Sequence, residues 1–312
     1  MTPPRGRLLR IGGAATAIVV AGVLISQSSG GPGAAPPHRA LTIAAGSLRL
    51  RGVRAGSGRV VVLLHGYGES LMSWRGVFDR LALEHDVLAL DLPGFGLSDK
   101  PAGGYATDSI AATVVRALEA QRIGRAVIVG HSMGGAVALA VAVRAPERVS
   151  ALALVDPAVS ASAWDLAPPS DSATGTGWMR RALASYEVLR PRFTAPHDPL
   201  WLAEEPGALA YSPAGDPAYR VALEAVLREF DFDYLNPARA QRLTLPILLI
   251  WGQYDQVIPL GVGQAMARAL PTARLAVVPR SLHRPQVERP DQVGALLDEF
   301  LRSLAVPRPG GP

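Results

Sequence analysis

The chain has 312 residues, room for one large domain or two small ones around a sizeable core. At 49% hydrophobic and 18% charged it is not a disordered chain, its 32 Gly and 27 Pro lack the period of collagen, and the absence of Cys excludes disulfide scaffolds, thiol nucleophiles, cysteine zinc sites and a Cys-linked lipid anchor. The net charge of +5 sets 31 basic against 26 acidic residues, every basic one but Lys100 is arginine, and no basic run carries interleaved aromatics, which argues against a nucleic-acid partner.

Residues 1–37 do not read as part of the fold. Arg5, Arg7 and Arg10 precede an apolar stretch, 11–25, and Ser26-Gln27-Ser28-Ser29-Gly30-Gly31 follows it. A basic head, an apolar run and a small polar exit form the pattern of an export signal. As a helix the run would be about 22 Å long, short of the roughly 30 Å hydrocarbon core. The segment is expected to be a cleaved signal or an uncleaved N-terminal anchor plus linker, with a misplaced start codon as the third reading. Pro36 and Pro37 crowd the cleavage candidate Gly33-Ala34-Ala35. The protein is therefore expected to be exported, or tethered to a membrane through its N-terminus.

Residues 41–54 alternate as an antiparallel hairpin would. A buried strand follows at 60–64, and 70–83 has helical spacing through Leu71, Trp74, Phe78 and Leu81. The pattern then gives a strand at 86–90, a helix at 107–122 capped by Thr107 or Asp108, a strand at 126–129, a helix at 133–145 and a strand at 151–155. Residues 158–244 break the rhythm with a Pro- and Ser-rich segment, 167–177, and amphipathic patterns at 178–189 and 219–230. A structureless loop of that length is implausible, so a separate helical excursion is expected. The alternation resumes with a strand at 246–251, a helix at 260–270, a strand at 274–278 and a helix at 290–304. Strands alternating with helices imply an α/β fold, a mostly parallel doubly wound sheet with helices on both faces. The expected organisation is a core at 38–157 and 245–305, an insertion at 158–244 and a flexible tail at 306–312.

The strongest chemical signal is Gly130-His131-Ser132-Met133-Gly134-Gly135, between a predicted strand and a predicted helix. Gly-x-Ser-x-Gly at a strand-to-helix turn is a nucleophile elbow. Small residues two before and two after the serine let strand and helix pass closely, and the helix N-terminus aims N–H groups at the reacting oxygen. The competing reading is a glycine-rich turn with an idle serine. Asp156 and Asp255 both lie at predicted strand ends, so two carboxylates are candidates for orienting a base, although Pro157 suggests a turn-capping role for Asp156.

Four further motifs accompany the elbow: His65-Gly66-Tyr67-Gly68, Asp91-Leu92-Pro93-Gly94-Phe95-Gly96-Leu97-Ser98, Trp251-Gly252-Gln253-Tyr254-Asp255, and His283-Arg284-Pro285-Gln286-Val287-Glu288-Arg289-Pro290. On these residues, between about 60 and 300, the chain resembles the α/β-hydrolase superfamily in its lid-bearing branch of bacterial serine hydrolases and esterases. The resemblance implies a helical lid after the sixth strand. It implies Ser132 as nucleophile, His283 as base and Asp255 as orienting acid, with the backbone N–H groups of Tyr67 and Met133 as the oxyanion hole. Leu282 stands where the family usually has Gly.

The implied activity is hydrolysis of a small, apolar carboxylic ester through an acyl-enzyme, with no cofactor. Carbon–carbon bond hydrolysis of the meta-cleavage type and cofactor-free perhydrolysis are the alternatives within enzymes, and a ligand-sensing module on the same fold is the alternative outside them. Haloalkane dehalogenase and epoxide hydrolase are disfavoured because those relatives carry an aspartate where Ser132 stands. His65 is expected to organise its loop and His131 to be structural. No second ligand at metal spacing accompanies His38, His85 or His197, so no metal is expected, and Trp164, Trp178 and Trp201 are read as lid packing.

Overall fold

The apolar runs become the strands of one eight-stranded sheet in the order β1-β2-β4-β3-β5-β6-β7-β8. β1 (Arg39–Ala45) and β2 (Leu48–Ala55) form the expected antiparallel hairpin, and β2 joins β4 (His85–Leu90) antiparallel. From β4 the sheet continues in parallel through β3 (Arg59–Leu64), β5 (Ala126–His131), β6 (Val149–Val155), β7 (Ile247–Gly252) and β8 (Ala273–Val278). The computed structural model describes residues 36–159, 216–232, 234–240 and 242–304.

The central strands are uniformly apolar because both of their faces are covered. Along β3, Val62 and Leu64 enter one hydrophobic cluster while Val61 and Leu63 enter the other, all fully buried. Side chains alternate across a strand, so a continuous apolar run is what two covered faces require. Each such side chain contributes about 1.5–3 kcal/mol on burial. One face packs against α1 (Arg75–Ala82) and α8 (Pro290–Ser303). The other packs against α2 (Thr107–Ala120), α3 (Met133–Arg144), α4 (Pro217–Glu229) and α6 (Leu260–Ala269). Short helices α5 (Pro237–Ala240) and α7 (Pro285–Glu288) complete the described helical set.

The strand order reverses at β3, whose neighbours are β4 on one side and β5 on the other. In an open parallel sheet the crevice beyond the carboxyl ends of such strands is where ligands bind. The loops after β3, β5, β7 and β8 carry His65-Gly66-Tyr67-Gly68, Ser132, Asp255 and His283 respectively. All four candidate segments thus leave the same edge of the sheet.

Two local expectations need correction. The stretch 70–83 is not one helix: a 3-10 turn, Leu71–Trp74, precedes α1, with the Ser70 hydroxyl accepting the Met72 N–H at 3.4 Å. Neither Thr107 nor Asp108 caps α2, whose N-cap is Ala106 without a side-chain bond. Thr107 instead exchanges hydrogen bonds with the Asp231 backbone, donating to its carbonyl at 3.2 Å and accepting its N–H at 3.0 Å. Asp108 accepts the Tyr234 hydroxyl at 3.0 Å. Both are drawn to a segment more than a hundred residues away, which no local capping rule can foresee.

Most of the insertion expected at 158–244 lies outside the described residues, as do residues 1–35 and 305–312, and Trp164, Trp178, Trp201 and His197 with them. Its described part includes α4, close to the expected pattern at 219–230. Asp216 caps α4 through the Ala218 N–H at 2.9 Å, with Pro217 in the first turn, where a missing N–H costs nothing. Among the described residues no helix is long and apolar enough to cross a membrane, and the apolar stretch 11–25 is not among them.

Candidate active site

Ser132 sits between β5 and α3 with φ 49 and ψ −117, a conformation that L-residues seldom adopt. Its surroundings impose it. The Ser132 N–H donates to the Val155 carbonyl of β6 at 2.9 Å, and the Ser132 carbonyl accepts the Gly135 N–H at 2.9 Å and the Ala158 N–H at 2.8 Å. The close strand–helix approach expected from the glycines is present: a Cβ on Gly130 would lie 2.3 Å from the Gly134 carbonyl oxygen, and one on Gly134 would lie 2.4 Å from that of Leu64. The second contact also brings the start of the loop after β3 against the N-terminal turn of α3.

The structure brings Ser132, His283 and Asp255 together. His283 Nε2 lies 3.0 Å from Ser132 Oγ, and His283 Nδ1 lies 2.7 Å from Asp255 Oδ2. With the Nδ1–H donating to the carboxylate, Nε2 is left to accept the serine proton. The other Asp255 oxygen accepts the Val257 and Ile258 N–H groups at 2.7 and 3.0 Å, so the acid is itself held in place. All three residues are buried, at 2%, 4% and 7% exposure, which strengthens each of these bonds relative to water.

Asp156 does not cap a turn as expected. It is wholly buried, has φ 41, and its Oδ1 accepts the Gly252 N–H at 3.0 Å. Burial first, and then the charge of nearby Asp255, push its carboxyl well above the usual range, so it is neutral where other carboxylates ionise. Asp156, Asp255 and His283 each bring one potential metal-ligand atom within 4.8 Å of the others.

Leu282, in place of the usual Gly, does no harm to the histidine loop. Positive φ outside glycine occurs at Arg122, Ser132, Asp156 and Arg280 among the described residues, and Leu282 is not one of them. Glu288, which the residue pattern gave no reason to single out, does the positioning. Its carboxylate accepts the Ser281 hydroxyl and the Leu282 N–H on one oxygen, at 2.8 and 2.6 Å, and the Arg284 N–H on the other at 3.1 Å. Backbone on both sides of His283 is thereby fixed. The only available signal was an acid five residues after a loop histidine.

His65 organises its loop, as expected: Nδ1–H faces the Gly66 carbonyl at 2.8 Å and Nε2 accepts the Leu92 N–H at 2.9 Å. Burial lowers its pKa, in keeping with a neutral ring. Tyr67 and Met133 are both buried, and the Tyr67 hydroxyl donates to the Leu223 carbonyl of α4 at 3.1 Å. Tyr219 of α4 donates to the Gly68 carbonyl at 2.8 Å. The loop after β3 is thus gripped from the α4 side as well. His131 is buried with one ring nitrogen 3.0 Å from Glu69 Oε2 and the other 2.7 Å from the His283 carbonyl oxygen. Glu69, also absent from the sequence-based candidates, forms an ion pair with Arg284 at 2.7 Å whose geometry is too oblique for a hydrogen bond.

A family model described as alpha/beta hydrolase fold matches residues 59–290. The chain is 29% identical over 251 residues to an uncharacterized hydrolase of Bacillus subtilis (strain 168), YugF, covering 78% of this chain and 90% of that protein. It is 30% identical over 274 residues to 2-hydroxymuconate semialdehyde hydrolase of Pseudomonas sp. (strain CF600), covering 85% of this chain and 94% of that enzyme. Among solved structures, a thermophilic esterase from Thermogutta terrifontis aligns with a TM-score of 0.64 at 25% identity, over 86% of this chain and 100% of that one.

Proposed function

The chain belongs to the α/β-hydrolase family, and within it we propose a serine hydrolase that cleaves a small, apolar carboxylic ester through an acyl-enzyme. One observation carries the reading: a continuous hydrogen-bonded path from Ser132 Oγ through the His283 ring to Asp255, starting from a serine held in a strained elbow.

In this mechanism Ser132 Oγ attacks the ester carbonyl while His283 Nε2 takes its proton. The negative charge that develops on the carbonyl oxygen is met by the backbone N–H groups of Met133 and Tyr67, the former at the positive end of the α3 dipole. Asp255 keeps the imidazole in the accepting tautomer and stabilises the imidazolium. His283 then protonates the departing alkoxide. A water molecule, deprotonated by the same ring, attacks the acyl carbonyl, and Ser132 leaves with the proton back on its oxygen. The reaction needs no group beyond water.

Removing the hydroxyl by Ser132→Ala should lower turnover of a 4-nitrophenyl ester panel by several orders of magnitude with an unchanged thermal melt, since little packing is lost. A fluorophosphonate should label wild-type enzyme at Ser132 and leave the variant untouched. Retention of a tenth of the wild-type rate would remove Ser132 from the mechanism. Slow, single-turnover modification without steady hydrolysis would point instead to a sensor.

Carbon–carbon bond hydrolysis is the second reading, supported by the likeness to the Pseudomonas semialdehyde hydrolase across nearly its whole length. Assay of a meta-cleavage product beside the ester panel separates the two. The Arg-flanked apolar stretch at 11–25 supports export or a membrane tether. Cell fractionation checks that assignment: full-length protein confined to the cytosol would overturn it.

A further inference from the structure

We propose that Glu69 is a positioning residue that locks the oxyanion loop, the nucleophile elbow and the histidine loop into one register, an inference that rests on the serine-hydrolase reading above. Each of its partners is the immediate neighbour of a residue in the proposed machinery. The Gly66 N–H, next to Tyr67, donates to Glu69 Oε2 at 3.0 Å. The His131 ring, next to Ser132, meets the same oxygen through Nδ1 at 3.0 Å. The Arg284 guanidinium, next to His283, lies 2.7 Å from Oε1.

The link continues to the base itself, because His131 Nε2 lies 2.7 Å from the His283 carbonyl oxygen. The pieces fit without slack: a Cβ on Gly66 would fall 2.7 Å from His131 Nδ1 and 3.2 Å from Glu69 Oε2.

A carboxylate so placed is costly unless its partners act on it. Burial works against the Glu69 charge, yet Arg284, His131 and the Gly66 N–H outweigh it and hold the group well below the usual carboxylate range. Buried ionic groups of this kind are often replaceable by apolar side chains without loss of stability. What an apolar side chain cannot supply is a charge paired with the histidine loop through Arg284 together with hydrogen bonds to Gly66 and His131. Acyl transfer depends on that attachment, because the oxyanion donors, the nucleophile and the base come from those loops, and a displacement near 1 Å costs on the order of 10²-fold in rate.

Glu69→Gln keeps the shape and removes the charge that faces Arg284. The test compares full-length wild type, Glu69→Gln and Glu69→Asp by ester kinetics, by fluorophosphonate labelling and by backbone hydrogen exchange. Labelling amplitude counts folded molecules, and labelling rate reports the geometry within them. Glu69→Gln should label to full amplitude with a rate and kcat lowered on the order of 10²-fold and KM nearly unchanged. Glu69→Asp, which keeps the charge, should recover part of kcat. Exchange should quicken at 66–69 and at 281–284 together. A wild-type labelling rate among the molecules that label overturns the proposal. Unchanged exchange at 281–284 overturns it too, whatever reaction the enzyme performs, whereas wild-type protein inert to fluorophosphonate and ester alike counts against the serine-hydrolase reading.

Discussion

Asp156 and Asp255 carry the same side chain at neighbouring strand ends, and what separates them is the donors each one meets. Asp255 accepts from the His283 ring and from the Val257 and Ile258 N–H groups, so its charge is fully used. Asp156 accepts from the Gly252 N–H, and burial together with the neighbouring Asp255 carboxylate keeps its own proton on. Asp255 is the carboxylate that hydrogen-bonds the imidazole, so its loss should disturb the tautomer most. Asp255→Asn keeps the shape but favours the wrong ring proton, and turnover should fall on the order of 10⁴-fold, by analogy with the serine-protease case. Asp156→Asn should leave turnover within about tenfold, because an amide oxygen still accepts from Gly252. Steady-state kinetics on both variants, with melts to verify folding, checks this. A collapse in Asp156→Asn beside a nearly normal Asp255→Asn would exchange their roles.

At the scale of elements, what the sequence revealed and what it hid divide by the range of the interaction responsible. Strands β3, β5, β6 and β7 were legible because burial on both faces writes itself as an unbroken apolar run, as in Val60 to Leu64. The elbow was legible because steric contact between Gly130 and Gly134 demands glycine within a few residues of the serine. Glu69 and Glu288 were not, and Asp156 was legible only as a candidate whose role stayed open, since a lone acid has no pattern until the fold brings its partners. Thr107 is the clearest case: it looks like a helix cap and acts as a tie between α2 and the segment after α4. Thr107→Val should therefore remove both bonds to the part-buried Asp231 backbone and lower stability by about 0.5–1.5 kcal/mol. Thr107→Ser, which keeps the hydroxyl, should recover most of that loss. Urea unfolding of the two variants reads the difference, and equal stabilities would mean that the hydroxyl contributes nothing.

The stability of the whole molecule should respond to pH through two buried acids of opposite sign. Asp156 has a raised folded pKa, so it keeps its proton while the unfolded chain releases one near the ordinary value of about 3.9. Its favourable contribution is complete below that pH and is lost as pH rises toward the folded value. Asn binds no proton in either state, and its short polar side chain tolerates the positive φ at this position. Asp156→Asn should thus melt at or above the wild-type temperature at neutral pH, and the gain should shrink to nothing toward pH 4. Glu69 is the reverse. Its folded pKa is depressed by Arg284, His131 and the Gly66 N–H against the opposing cost of burial, so its contribution is complete above about pH 4.3 and drains away as pH falls. Glu69→Gln should melt well below wild type at neutral pH, a gap on the order of 3 kcal/mol for a buried charge left unpaired, and should approach wild type in acid. Calorimetric melts of the three proteins from pH 3 to 8 test both signs in one series. A gap for Asp156→Asn that stays constant with pH would show that its carboxyl ionises normally in the fold. A gap for Glu69→Gln that widens in acid would show that the carboxylate is not held by its partners as the geometry requires.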